Sequence, residues 1–181
     1  MFIQTEPTPN PLTMKFIPGI PVMASGTVFF TSAEQAKSSP LAQALFAVDE
    51  VSAVFFGSDF ITVTKRETGH WEALKPIVLT VLMDHFVAGK PVVLETAAAD
   101  AHADDTDIEK QIRELIDTRV RPAVAQDGGD IIFRSFTDGI VQLELHGACS
   151  GCPSSTATLK NGIENMLKHY IPEVIAVEAV A

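Results

Sequence analysis

Two spacings of apolar residues alternate along the first half of the chain. Residues 51–56 and 60–64 are rich in Val, Phe and Thr and are separated by a short Gly-containing turn, which predicts a β-hairpin. Residues 71–87 carry apolar side chains at helical spacing, and Gly89 and Pro91 predict where that helix ends. The helix is expected to bury a stripe made of Leu74, Ile77, Val78, Val81, Leu82, His85 and Phe86. Shorter runs predict strands at 14–17 and 28–30 and a helix at 40–48.

The second half shows a pattern of helix, strand, strand, helix and strand. Thr106 or Asp107 is expected to cap a helix that Pro122 ends or kinks. Strands are predicted at 130–136, 140–146 and 174–177, and residues 154–156 are expected to cap the second helix. That helix is expected to bury Leu159, Ile163, Met166, Leu167 and Tyr170. The sequence therefore predicts an α+β fold class, in the form of two small α+β domains.

The segment between the two patterns has a different composition. Residues 96–107 contain four Asp and no Lys or Arg, and most of the other residues are Ala. Like charges in a segment of low complexity favour an extended, solvated chain. We therefore expect domains at 1–92 and 107–181, joined by a flexible acidic linker at 93–106.

Charge and hydropathy exclude several classes of partner. The formal net charge is −10, whereas a nucleic-acid surface needs clustered Lys and Arg, so no nucleic acid is expected. No run approaches the roughly 18–20 apolar residues that cross a bilayer, and no membrane association is expected. The first residues lack the features of a signal or transit peptide. We therefore expect a bacterial cytoplasmic protein, or the mitochondrial matrix for a processed eukaryotic form.

The only two cysteines lie in the run 147–153, between a predicted strand and a predicted helix. The C-x-x-C spacing of Cys149 and Cys152 brings two thiolates close enough to bind one metal or to form a small disulfide. Gly147 and Gly151 leave space around the thiolates, and Pro153 is a favourable first residue for a helix whose N-terminus favours negative charge. An iron–sulfur cluster or a Cys₄ zinc site needs four thiolates, so this chain completes either one only with ligands from a second molecule.

The residues alone leave four interpretations of this loop open. The first is a cluster shared between two chains, and the second is a zinc site built the same way. The third is a redox disulfide of the thioredoxin type, although the pair does not follow a βαβ unit. The fourth is a pair of ordinary buried cysteines, which the surrounding Gly, Ser and Pro residues disfavour because they predict an exposed turn.

Six short stretches of the chain resemble the NifU-like (Nfu-type) iron–sulfur proteins. The C-terminal half matches their cluster-binding domain through Arg121-Pro122, the turn 127–130 and the run 147–155. The N-terminal half resembles the Nfu N-terminal domain through residues 8–11, with Lys15-Phe16 and Phe55-Phe56. The resemblance covers nearly the whole chain apart from the linker.

The resemblance implies a cluster scaffold or carrier and not an enzyme. It implies that Cys149 and Cys152 of two protomers bind one [4Fe–4S] cluster between them, which makes the protein a homodimer through the cluster. It also implies partners: apo iron–sulfur proteins that accept the cluster and upstream assembly factors. A thiol–disulfide oxidoreductase and a structural zinc-bridged dimer are the alternatives.

Three other polar residues lie close enough in sequence to matter. His146 could be an additional metal ligand or a hydrogen-bond donor, although a histidine at the end of a strand is the simpler interpretation. Asp127 and Asp130 flank two glycines and are expected to make Asx-type turn hydrogen bonds. No Ser-His-Asp or Cys-His arrangement follows from the positions of the histidines.

Overall fold

The protein divides into two compact units, residues 1–98 and 99–181. The structure, a computed structural model, describes residues 1–94, 105–151 and 153–180. Both units combine helices with an open sheet, and the predicted α+β fold class is confirmed. Most of the predicted linker 93–106 lies outside the described residues, and its flexibility stays a prediction.

The first unit contains a five-stranded antiparallel sheet in the order β1-β2-β5-β4-β3. The strands are β1 Gln4–Pro7, β2 Thr13–Ile17, β3 Val28–Phe30, β4 Val51–Phe56 and β5 Ile61–Lys65. The helices are a 3₁₀ turn at Gln35–Ser38, α1 Pro40–Phe46 and α2 Trp71–Val87. The predicted hairpin 51–64 and the predicted helix 71–87 are both present.

The stripe predicted for α2 is partly wrong. Leu74, Val78, Leu82 and His85 are buried, but Ile77 is 47% exposed. The apolar residues of α2 surround the whole helix, so spacing alone does not show which of them face the sheet. Leu74, Val78 and Leu82 pack with Phe16, Phe56 and other apolar residues into one core.

The connection between β1 and β2 is ordered by one buried polar residue. Asn10 is 5% exposed, and its Oδ1 accepts a hydrogen bond from the Leu12 N–H at 3.0 Å. The Thr8 hydroxyl donates to the Asn10 carbonyl at 2.9 Å, and the indole N–H of Trp71 donates to the Pro11 carbonyl at 3.2 Å. The Pro-rich stretch 8–11 is therefore a structural turn, and its hydrogen bond from Trp71 connects the sheet to α2.

The second unit contains a three-stranded sheet in the order β6-β7-β8. The strands are β6 Gly129–Thr137, β7 Ile140–Gly147 and β8 Ala176–Val180; β6 is antiparallel to β7, and β8 is parallel to it. The helices are α3 Asp107–Leu115, a π-helical segment Ile116–Val120, α4 Arg121–Gln126 and α5 Pro153–Tyr170. Apolar side chains from α3, α4 and α5 share one core with those from the sheet.

The two helices predicted for the second unit are present, but they differ from the prediction at specific residues. Thr106 caps α3 as expected, in a capping box with Glu109. Pro122 does not end the helical path, because it lies in the first turn of α4, where its missing N–H costs no hydrogen bond. Helix α5 begins at Pro153, so residues 154–156 lie in its first turn and not before it. Tyr170 is 47% exposed, with the Arg119 guanidinium 5.1 Å from its ring centre.

The last strand begins later than predicted. Parallel pairing with β7 defines β8 as residues 176–180, and Ile175, which was placed in the strand, is 65% exposed. Among the described residues, no helix is both long enough and apolar enough to span a membrane.

Candidate functional site

The candidate site is the loop that connects β7 to α5. Cys149 lies in this loop, is 6% exposed, and packs in the core of the second unit. The prediction of an exposed turn is therefore wrong for Cys149, although Gly151 is exposed. Cys152, the second predicted ligand, lies outside the described residues. The assignment of both cysteines as ligands stays a prediction.

The end of the β6–β7 ladder holds the first half of the loop. Gly129 and Gly147 form the last register pair, and the Ala148 N–H donates a hydrogen bond to the Gly128 carbonyl at 3.1 Å. The Ser150 N–H then donates to the Gly147 carbonyl at 3.1 Å, which turns the chain. Gly147 has φ +65°, a conformation that glycine adopts without steric cost. Backbone hydrogen bonds therefore position Cys149 directly above the turn 127–130.

An ion pair fixes the first residue after that turn. Asp130 is 3% exposed, and both its carboxylate oxygens accept hydrogen bonds from Arg121, from Nε and from Nη2, each at 2.8 Å. These hydrogen bonds to Asp130 are the main cause of a raised pKa for the Arg121 guanidinium. Asp130 Oδ1 also accepts a hydrogen bond from the adjacent Ile131 N–H at 2.8 Å.

The expected Asx-type contact of Asp130 is thus to the next residue, and the main partner of its carboxylate is Arg121. The carboxylate faces α4 and joins the start of β6 to that helix through a paired, charge-assisted contact. The sequence showed Arg121 and Asp130 as separate motif residues, nine positions apart. A nearly buried carboxylate needs a cation, and Arg121 was the residue to consider.

A second polar cluster joins β6 to β7 through side chains. Glu144 Oε1 accepts a hydrogen bond from His146 Nε2 at 2.8 Å, and its other oxygen accepts one from Arg134 Nε at 2.6 Å. Burial raises the pKa of Glu144, but the hydrogen bonds from His146 and Arg134 outweigh it, and the pKa lies below its ordinary value. The two-residue spacing of Glu144 and His146 on one strand is the signal that could have revealed this pair.

His146 is accordingly a strand residue, as the simpler interpretation predicted. It lies in β7, opposite Asp130 in the ladder, and its Nε2 is bonded to Glu144. Within residues 1–94, 105–151 and 153–180, no three His, Cys, Asp or Glu side chains are grouped to hold a metal ion.

Both halves of the chain match models of known domains. Residues 3–89 match the model described as "Scaffold protein Nfu/NifU N terminal", and residues 112–178 match the "NifU-like domain". The second match includes Arg121, the turn 127–130 and both cysteines.

Similar proteins over nearly the whole chain are named as Nfu or NifU-like proteins. The chain is 53% identical over 183 residues to the Homo sapiens "NFU1 iron-sulfur cluster scaffold homolog, mitochondrial", covering 99% of this chain and 72% of that protein. It is 52% identical to the Drosophila virilis protein of the same name, over 99% of this chain and 62% of that protein. It is also 52% identical to "NifU-like protein 5, mitochondrial" of Arabidopsis thaliana, over 98% of this chain and 67% of that protein.

The chain spans less than two thirds of the length of the Drosophila virilis relative, so the matches concern the part that the two proteins share. Within that part, the order of the two domains is that of the resemblance seen in the sequence. The matches cover both units and nearly the whole chain, which confirms that resemblance: the chain belongs to the Nfu/NifU family of scaffold proteins.

Proposed function

We propose that the protein is an iron–sulfur cluster scaffold and carrier, which binds a [4Fe–4S] cluster and delivers it to apo-proteins. The observation that carries this proposal is that the NifU-like domain match contains both cysteines of the chain. Relatives named as iron–sulfur cluster scaffolds support it. Cys149 and Cys152 are the proposed ligands, because thiolates are the usual ligands of iron in such clusters.

The number of thiols leads to a shared site. One chain supplies two thiolates and a [4Fe–4S] cluster takes four, so two protomers with the cluster between them complete the set. Cys149 lies next to the end of a hydrogen-bonded ladder, and this placement favours a single backbone geometry for the first sulfur ligand.

The proposed transfer is a ligand exchange without net oxidation or reduction. Thiolates of an acceptor protein attack the iron atoms, and the thiolates of Cys149 and Cys152 leave as those iron–sulfur bonds break. Each new iron–thiolate bond replaces one that is lost, so the cluster keeps its charge. The cluster is cargo in this scheme, and the protein is a stoichiometric carrier and not an enzyme.

The proposed partners are a second copy of the chain, apo iron–sulfur acceptors and upstream assembly factors. We assign recognition of the acceptors to the first unit, whose described residues hold a packed core and no cysteine. Relatives named mitochondrial support the mitochondrial matrix as the location, and none of the three supports the bacterial cytoplasm that the sequence suggested. Deleting residues 1–92 should leave cluster binding intact and slow transfer to at least one acceptor; equal transfer to every acceptor tested would refute this role.

The decisive experiment is native mass spectrometry under anaerobic conditions, after reconstitution with iron and sulfide. We expect a dimer that carries one increment of four iron and four sulfide, lost in Cys149→Ala and in Cys152→Ala. A metal-free monomer two hydrogens lighter than its reduced form would show dithiol chemistry instead. A dimer that carries zinc alone would show a structural module.

Transfer is tested with an apo-enzyme that regains activity only with a [4Fe–4S] cluster. The loaded protein should restore activity faster than equal amounts of free iron and sulfide, and an iron chelator in solution should not abolish the effect. Reactivation no faster than with free ions would leave a binding protein that is not a carrier.

A further inference from the structure

Cys149 lies so close to Gly129 that a side chain at residue 129 would collide with it. A Cβ placed with ideal geometry on Gly129 would lie 2.5 Å from Cys149 Sγ, 3.2 Å from Cys149 Cβ and 3.0 Å from the His146 carbonyl oxygen. Non-bonded heavy atoms attract best at about 3.5–4.0 Å and repel strongly at shorter distances. The thiol of Cys149 therefore occupies the space that a side chain at residue 129 would fill.

The backbone on both sides of this contact is fixed. Gly129 pairs with Gly147 at the end of the ladder, and the Ala148 N–H is bonded to the Gly128 carbonyl at 3.1 Å. On the other side, Asp130 is held by two hydrogen bonds from Arg121. Separating residues 129 and 149 would break these bonds, so we expect added atoms at residue 129 to displace chiefly the thiol, which is the closest contact and the free end of a side chain.

We propose that Gly129 is a positioning residue for the Cys149 thiolate. Because it has no side chain, it sets the rotamer and the burial of Sγ, and hence the direction from which this sulfur reaches iron. A methyl group at residue 129 would push Sγ outward by about 1 Å, roughly twice the ~0.5 Å tolerance of a binding site. The part of this inference that concerns the cluster rests on the proposed function; the part that concerns the thiol does not.

The chain offers a matched control for Gly129→Ala. Gly162 lies in α5 of the same unit, and a Cβ at that position would meet nothing within 4 Å. Gly162→Ala therefore adds the same methyl group without touching the cysteine, in a helix where alanine is favoured over glycine. Gly151 is unsuitable as a control because its φ of +72° would strain any other residue.

The first test needs no metal. The reduced apo-protein is alkylated with iodoacetamide, and the rates at Cys149 and Cys152 are followed separately by peptide mass spectrometry. We expect Gly129→Ala to raise the rate at Cys149 several-fold, with a smaller change at Cys152 and none in Gly162→Ala. An unchanged rate at Cys149 in folded Gly129→Ala would overturn the proposal.

The second test is a double-mutant cycle on thermal stability, using Gly129→Ala, Cys149→Ala and the two combined. Cys149→Ala removes Sγ and keeps Cβ, so the closest contact disappears while the contacts at 3.0 and 3.2 Å remain. We expect most of the loss in Tm caused by Gly129→Ala to vanish in the Cys149→Ala background. An equal loss in both backgrounds would show that the strain does not involve the thiol.

The cycle also covers a failure to fold. If Gly129→Ala does not fold with Cys149 present, folding of the double variant is the expected rescue. If neither folds, the main chain and not the thiol limits residue 129, and the proposal is refuted.

The third test measures how long the reconstituted protein retains its cluster when an iron chelator is added. Gly129→Ala should lose the cluster several-fold faster than wild type, whereas Gly162→Ala should match wild type. If wild type takes up no cluster, the proposed function fails, and the two metal-free tests still decide the role of Gly129. If wild type binds the cluster and Gly129→Ala retains it equally long, the positioning role is refuted.

Discussion

The two units of the protein are stabilised by different kinds of interaction. The first unit buries large aromatic and aliphatic side chains, with Phe16, Phe55 and Phe56 all fully buried. The second unit has a smaller apolar core and adds a nearly buried ion pair, Arg121 with Asp130, next to a turn that contains two glycines. The first unit is stabilised mainly by close packing and buried apolar area. The second unit also uses polar contacts to hold the turn that lies against Cys149.

This difference bears on what each unit tolerates. In a core of packed aromatic rings, substitutions lower the free energy of unfolding mainly by creating cavities. We expect the site in the second unit to lose its geometry when a methyl group is added at Gly129 or the charge of Arg121 is removed. Variants of the two units should therefore separate stability from site geometry, and the following predictions are ordered by expected size.

Phe56→Ala should have the largest effect on stability. Phe56 is fully buried and makes an edge contact with Phe30, with ring centres 6.0 Å apart. Removing its ring should lower the free energy of unfolding of the first unit by about 3–5 kcal/mol. Hydrogen exchange followed by mass spectrometry should show faster exchange in β4 and β5 with unchanged exchange in β6 and β7. Phe2→Ala is the control, because Phe2 is 84% exposed; faster exchange in both units would show that their cores are coupled.

Arg121→Met should come next, with its effect in the second unit. It leaves the Asp130 carboxylate buried without its cation, and the Arg121 side chain is 31% exposed. We expect a loss of about 2–3 kcal/mol, less than the loss for a fully buried pair, because water screens part of the interaction. The urea midpoint of the second unit reports this loss, and the Cys149 alkylation rate should rise with it.

The control for Arg121→Met is Arg134→Met, which breaks the pair with Glu144 at the surface, where Arg134 is 44% exposed. Such a pair contributes about 0–1 kcal/mol. Equal losses in the two variants would show that burial of Asp130 adds nothing to the strength of its pair.

The two helix caps should differ by a smaller amount. Ser39 Oγ accepts a hydrogen bond from the Ala42 N–H at 3.0 Å and donates one to the Val92 carbonyl at 2.5 Å, in a buried position. Thr106 makes a capping box with Glu109 at the surface. Ser39→Ala should cost about 1–3 kcal/mol because it also leaves a carbonyl without a donor. Thr106→Ala should cost about 0.5–1 kcal/mol. Thermal unfolding of both variants checks the order, and a larger loss for Thr106→Ala would contradict it.

The smallest effect should be a pH dependence of the second unit. The pKa of Glu144 is lowered in the folded protein, so the folded state prefers the ionised carboxylate. Its contribution is present above the ordinary pKa of 4.5 and is lost as the pH falls below that value. Glu144→Gln should reduce the loss of stability between about pH 5 and pH 3 by less than about 1 kcal/mol. Urea midpoints across that range measure the slope, and an identical slope in the variant would refute the assignment.

Segments with periodic apolar residues and a Gly or Pro at their end were predictable from the sequence. Contacts between residues far apart in the sequence were not. Helix α2 has the predicted bounds because regular apolar spacing and Gly89 with Pro91 define both its body and its end. Strand β1 was missed because residues 4–7 show no alternation, and pairing with β2 is what makes them a strand. Of the two outcomes predicted at Pro122, an end to the helix does not occur, because proline is tolerated in a first turn and α4 begins one residue before it.

The position of the candidate loop was predictable from the sequence, and its geometry was not. The spacing of Cys149 and Cys152 indicated the loop, and the glycines around the cysteines suggested an exposed turn. The structure places Cys149 in the core, because the open space above Gly129 accepts its thiol. The turn 127–130 and the cysteine loop are about twenty residues apart in sequence, and only strand pairing shows that they touch.

The bulge in β6 gives that strand one residue more than the ladder needs. Asp138 and Gly139 close the hairpin with positive φ, and Thr137 pairs with Ile140. The register then shifts by one residue between Phe133 and Ser135, as at a β-bulge, so Arg134 is the extra residue of β6. Deleting Arg134 would give an unbroken ladder in which Phe133 still pairs with Leu143 and Gly129 still pairs with Gly147. The strand can thus lose this one residue without moving the glycine beneath the thiol.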